Sequence, residues 1–171
     1  MKLFKTVLLI LCTLFIHKSM AQDVHRTLGV GLQSSLPVYG LSVKYAFTDH
    51  SVGQATIAPF GIKSDGGSAS INFYGLRYIY RFPGNEDHAV IVDPYIFIGT
   101  GLINLKYDYS SYGGNKSSQS IFSYSGGGGI EVILFDRVGI SAEVGYGKIS
   151  VSAGTGINTL LGGGGIHYYI F

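Results

Sequence analysis

Tyr39-Gly40-Leu41-Ser42-Val43-Lys44-Tyr45-Ala46-Phe47 is the stretch that decides the fold. Tyr39, Leu41, Val43, Tyr45 and Phe47 alternate with Gly40, Ser42, Lys44 and Ala46, and a period of two places the two sets on opposite faces of a β-strand. One face is greasy and the other small or charged. The length suits a tilted strand crossing a hydrocarbon core, which takes roughly 9–11 residues.

The same alternation extends in both directions. Upstream, Leu28, Val30 and Leu32 alternate with Gly29 and Gly31. Downstream, a turn at residues 48–51 leads to a third strand over 52–61, whose facing the sequence leaves open, and then to a polar loop at 63–68. In the fourth strand, Tyr74, Leu76, Tyr78, Tyr80 and Phe82 oppose Phe73, Gly75, Arg77, Ile79 and Arg81; the arginines assign the second set away from lipid. A turn at 83–88 precedes a fifth strand over 90–107. Either Tyr95, Phe97, Gly99 and Gly101 face inward with Ile96, Ile98 and Leu102 outward, or the reverse holds. Residues 109–120 form the longest hydrophilic stretch and read as an exposed loop. The sixth strand covers 121–134, and a tight turn follows at Phe135-Asp136-Arg137. In the seventh, Val138, Ile140, Ala142, Val144 and Tyr146 oppose Gly139, Ser141, Glu143, Gly145 and Gly147; a loop at 152–158 and an eighth strand over 159–171 complete the chain.

The first residues concern export. Lys2 and Lys5 precede an apolar run over 7–16, and Ser19-Met20-Ala21 supplies the small-x-small step of a cleavage site. Residues 1–21 are therefore expected to be a cleavable signal peptide, and 22–171 one barrel domain. The apolar run is short of the roughly 20 residues a spanning helix needs. Cys12, the only cysteine, lies in this leader, and Leu11 stands where a lipoprotein signal wants a small residue. Stability is expected from burial and hydrogen-bond closure rather than disulfides. Lys2, Lys5 and Lys18 leave with the leader, so nine basic residues face ten acidic ones, a net of −1 that suggests no nucleic-acid partner.

Composition agrees with strands. There are 13 Tyr, 10 Phe and 26 Gly against 4 Pro and no Trp, and aromatics favour strands while Gly weakens helices. Mean hydropathy is +0.30, although no segment after the leader holds 18 apolar residues in a row. Apolar residues spread in alternation and facing lipid reconcile these facts. A sheet in a bilayer must pair every backbone group, which it does by closing on itself. The expected fold is thus all-β: an eight-stranded antiparallel up-and-down transmembrane β-barrel, with both termini on the periplasmic side. Its tight turns follow strands two and six, and longer links follow three and five. A soluble exported ligand-binding barrel would place the apolar face inward; Tyr near the strand ends favours apolar outward.

His167-Tyr168-Tyr169-Ile170-Phe171 and the stretch from Gly127-Gly128-Gly129-Ile130-Glu131-Val132 through Asp136-Arg137-Val138 to Val144 resemble the small outer-membrane β-barrel families of the OmpA and OmpX type. The resemblance implies a fold and an outer-membrane location. It also implies that Tyr169 and the terminal Phe171 act as the signal read by the barrel-assembly machinery. Outer-membrane lipid is then the surrounding partner, and residues 109–120 are available to an external one.

Five charges are expected in the lumen: Lys44, Arg77, Arg81, Glu131 and Glu143. They can form a gate whose ion pair switches partners, or they can neutralise one another in a filled interior, since an unpaired buried charge is costly. The second reading is preferred. Arg77 and Arg81, with Phe73, are expected to face Gly162 and Gly164 across the barrel, large against small. The runs 126–129 and 162–165 are all glycine but lack the Lys-Ser/Thr of a phosphate loop. Gly126, Gly128, Gly163 and Gly165 are candidates for a shallow lipid-side groove. The runs echo each other, yet if Glu131 points inward and Phe171 faces lipid, the equivalent His167 would point outward; the sequence leaves this conflict open. His25, His50, His88 and His167 lack metal-ligand spacing. No nucleophile–base pair of a lipid-modifying enzyme stands out, and no cofactor is expected. The leading expectation is a non-enzymatic barrel with an envelope-structural or surface-interaction role, with a narrow porin-like channel and a barrel enzyme as alternatives.

Overall fold

A computed structural model describes residues 26–64, 67–82, 90–108, 116–152 and 155–170. The expected leader, His25, His88 and Phe171 lie outside the described residues. Eight strands, β1 (Leu28–Ser35), β2 (Val38–Ala46), β3 (Ser51–Ser64), β4 (Gly67–Arg81), β5 (Val90–Asp108), β6 (Lys116–Leu134), β7 (Val138–Ser152) and β8 (Thr155–Tyr169), pair in chain order into a closed antiparallel barrel. The seam is made by β1 and β8, from Gly29↔Tyr169 to Ser34↔Gly164. Closure leaves no edge along this part of the wall, as spanning a bilayer requires.

Polarity runs apolar-out. Leu41, Leu76 and Ile98 are more than half exposed on the outer face, while Lys44, Arg77, Arg81 and Glu131 are buried inside. The open facings are settled. In β3, Val52, Gln54, Thr56 and Ala58 turn inward and Ile57 outward; in β5, Tyr95 and Phe97 are buried inside while Ile96 and Ile98 are exposed. His167 is 1% exposed and bonded to Ser42 in the lumen, so β6 and β8 share one facing after all. This places Gly163 and Gly165 inward against Ser35 and Gln33, and Gly162 and Gly164 outward. The expected opposition of Arg77 and Arg81 to Gly162 and Gly164 is therefore wrong, and Gly163 and Gly165 leave the lipid-side candidates. The cause is the imidazole, which finds a hydrogen-bond partner inside and none in lipid.

The strands outrun their expected ends. Lys63, Ser64, Gly67 and Ser68 pair within the β3–β4 ladder, Lys116 to Ser120 belong to β6, and β7 and β8 extend to Ser152 and Thr155. Their Ser- and Gly-rich composition reads as loop, but it describes strand that has left the lipid. Beyond this level the outer face becomes polar, with Asn72, Asn104, Ser120 and Lys148, while the inner positions become Ile71, Phe73, Ile103 and Ile121.

β1 and β2 are short, at 8 and 9 residues. The β1–β2 pairing runs to Ser35↔Val38, leaving only Leu36-Pro37 at the tip, with a cis peptide bond. This tip folds inward instead of outward: Val38 is fully buried and Pro37 nearly so. Gly75 and Gly101 make the room, since a Cβ on Gly101 would come within 2.6 Å of the Pro37 carbonyl oxygen and one on Gly75 within 2.9 Å of the Val38 Cα.

Candidate functional site: the filled lumen

Alternation delivers the lumen's charges from five strands. Glu143, on β7, receives Arg77 Nη1 at 2.8 Å on each carboxylate oxygen. Gln33 Nε2 donates to it at 3.0 Å, Ser35 Oγ at 2.8 Å and Tyr95 Oη at 2.7 Å. Arg77 Nη2 in turn donates to Ser35 Oγ at 2.7 Å, and its guanidinium carbon lies 4.1 Å from the Phe97 ring centroid. This ion pair crosses from β4 to β7 and also holds the last residue of β1.

A second pair lies nearer the termini. Lys44 Nζ is 2.9 Å from Glu131 Oε1, and Tyr169 Oη donates to Oε2 of the same carboxylate at 2.9 Å. Amides and hydroxyls extend the Glu143 cluster toward the termini: Gln54 Nε2 donates to Gln33 Oε1 at 3.1 Å and to Ser42 Oγ at 2.8 Å, and His167 Nε2 is 2.8 Å from that hydroxyl. Arg81 is buried one step closer to the terminal end, and Arg26 meets Asp93 there at 3.2 Å.

The structure thus gathers Arg77 with Glu143 and Lys44 with Glu131, and buries Arg81 below them. Sequence reasoning missed Asp93, Gln33, Gln54, Ser35 and Ser42. Asp93 and Gln54 lie on β5 and β3, the two strands whose facing the sequence leaves open, whereas Ser35 shares parity with Gln33 on β1. Tyr169 points into the lumen, where its hydroxyl serves Glu131.

The chemistry available is restricted. Ser42 and His167 stand at the distance of a nucleophile and its base, but both are nearly inaccessible and Ser42 already accepts from Gln54. His50, at the turn beyond β2, faces the Arg81 carbonyl oxygen at 3.1 Å and stacks on Tyr80. Among the described residues no three His, Cys, Asp or Glu side chains gather into a metal-holding group. The described lumen thus holds the Arg77–Glu143 and Lys44–Glu131 pairs and is crossed by the inward-turned hairpin tip.

Residues 19–167 match the family described as outer membrane protein beta-barrel domain, and the chain belongs to it. Among solved structures, the N-terminal β-barrel domain of Pseudomonas aeruginosa OprF is similar at 17% identity and a TM-score of 0.54, over 82% of this chain and 93% of that one. Ail, the attachment invasion locus protein of Yersinia pestis, crystallised with the heparin analogue sucrose octasulfate, is similar at 19% identity and 0.52, over 82% and 95%. Comparison with curated proteins found no match. At these identities the likeness is one of fold, and the family places the chain among barrels of the outer membrane.

Proposed function

We propose that this chain is a sealed, non-enzymatic barrel of the outer membrane that supports the envelope or offers its far end to external partners. The observation that carries this reading is the Arg77–Glu143 pair, which spans the lumen and ties Ser35 and the inward-turned tip across the passage. Opening a path would require breaking a buried ion pair, at about 3–5 kcal/mol, and withdrawing the hairpin.

Planar-bilayer recording tests it. The full barrel is expected to show no steady conductance; steady single-channel conductance abolished by Arg77→Ala or Glu143→Ala would overturn the reading in favour of a narrow channel. Lipid A from cells with and without the protein should give identical mass spectra. A mass shift requiring Ser42 and His167 would reveal an enzyme instead.

A further inference from the structure

Above the hairpin tip, the inside of the barrel changes character. The β2–β3 pairing stops at Leu41↔Ile57 and the β1–β8 pairing at Ser34↔Gly164, while β3 and β8 continue to Ser64 and back to Thr155. The wall at this level is therefore β3 to β8 alone, with a notch two strands wide where β1 and β2 have ended. The remaining wall encloses a cup whose floor is Pro37 and Tyr39, the Tyr39 ring lying 6.2 Å from that of Phe60 and 5.5 Å from that of Phe73. Its inner surface is apolar on β3, β4 and β5, where Phe60 pairs with Ile71, Phe73 with Ile103, and Ile71 with Leu105, while Gln119 on β6 and Thr159 on β8 add neutral polar groups. No inward position of the described wall above the tip carries a charge.

This surface is not closed over a core. Phe60 and Ile62 on β3 and Ile157 on β8 are 51%, 75% and 62% exposed although they face inward, and these two strands flank the notch. The notch opens at the upper margin of the lipid-facing band, next to the last paired residues of β1 and β8. On β8, beyond the last β1 pair, Leu160 faces outward at 73% exposure and Leu161 lies on the inner face. Apolar side chains thus continue from the outside of the barrel at Leu160 to its inside at Leu161 and Ile157, across the free edge of β8. Contiguous apolar surface of this kind marks a binding site rather than a solvated wall.

Strand addition does not suit the opposite edge. The Ile57 carbonyl points toward Gly40 on β2, so two residues on, Pro59 turns its nitrogen to the same, now unpaired, side. A proline there offers no N–H to an incoming strand.

We propose that the cup is an acyl-chain site: a hydrocarbon chain of an outer-leaflet lipid enters sideways through the notch and lies against Phe60, Phe73, Ile103 and Leu105. The inference rests on the membrane reading above, with the far end outward. The sequence contains no Trp, so one introduced tryptophan reports alone. The full barrel carrying Ile103→Trp, or Leu105→Trp as an independent position, is inserted into vesicles of phosphatidylcholine brominated on its acyl chains. Ile98→Trp on the outer face and Ile79→Trp in the sealed lumen serve as references. The inner-cup tryptophans are expected to lose emission to the same extent as Ile98→Trp, with Ile79→Trp unaffected, and addition of Ile157→Asp is expected to restore it. Quenching by aqueous iodide but not by brominated lipid would mean a water-filled cup, and quenching by neither would mean a cup covered by the chain's own links; both overturn the proposal. An unquenched Ile98→Trp would remove the membrane reading itself, and the proposal with it.

Discussion

Glu143 accepts from four side chains on three other strands, so its carboxylate is where the interior is most interdependent. Glu143→Ala leaves Arg77 buried without its anion and is expected to cost about 3–5 kcal/mol. The check is the urea midpoint at which the compact, heat-modifiable form is lost in detergent. Arg77→Met combined with Glu143→Leu should recover much of that loss, because an apolar pair of similar volume carries no desolvation penalty. Adjacent glycines provide a second contrast. A Cβ at Gly163 would overlap the Ser34 carbonyl oxygen, whereas one at Gly162 has nothing nearer than 3.9 Å. Gly163→Ala is expected to cost about 1–3 kcal/mol, while Gly162→Ala should stay within about 0.5 kcal/mol, by the same measurement. The five charges could be read from alternation beside polar neighbours. Which base meets which acid could not, because register around a closed barrel is set by all eight ladders together and not by one strand's pattern.

At the level of elements, the β1–β2 hairpin departs most from expectation. A two-residue link looks like an ordinary tight turn in sequence, and nothing local says that it bends inward. The information lies on β4 and β5, in Gly75 and Gly101, where the missing side chains admit Pro37. Gly101→Val should push the tip out of the lumen. Val38→Cys, in a chain whose only other cysteine is Cys12, is expected to resist a water-soluble maleimide in the parent and to react with it once Gly101→Val is added. Persistent protection would show that the tip tolerates the extra side chain. The far strand ends read as loop in sequence for a related reason. Residues 117–120 and 156–158 pair as strand, but their side chains do not follow the apolar-outward rule of the rest.

For the whole molecule, one wall serves two solvents. Near the termini it is greasy outside and polar inside; at the far end, polar outside and greasy inside. A period of two reports the alternation in both regions but not its sense, which is why the sequence supported eight strands and closure while leaving two facings open. Net closure of the hydrogen-bond network, with no disulfide among the described residues, should make the barrel resist detergent at room temperature and unfold on boiling, seen as a shift in gel migration. A chain that runs at one position whether boiled or not would contradict the closed, membrane-stable wall.

Ser35 belongs to the strand that seals the seam with β8, and the tip it precedes is also the stopper of the bore. Ser34 is the last β1 residue paired with β8, and Ser35 beside it bonds Arg77 and Glu143, so on the sealed reading proposed above whatever parts β1 from β8 also unseats the plug.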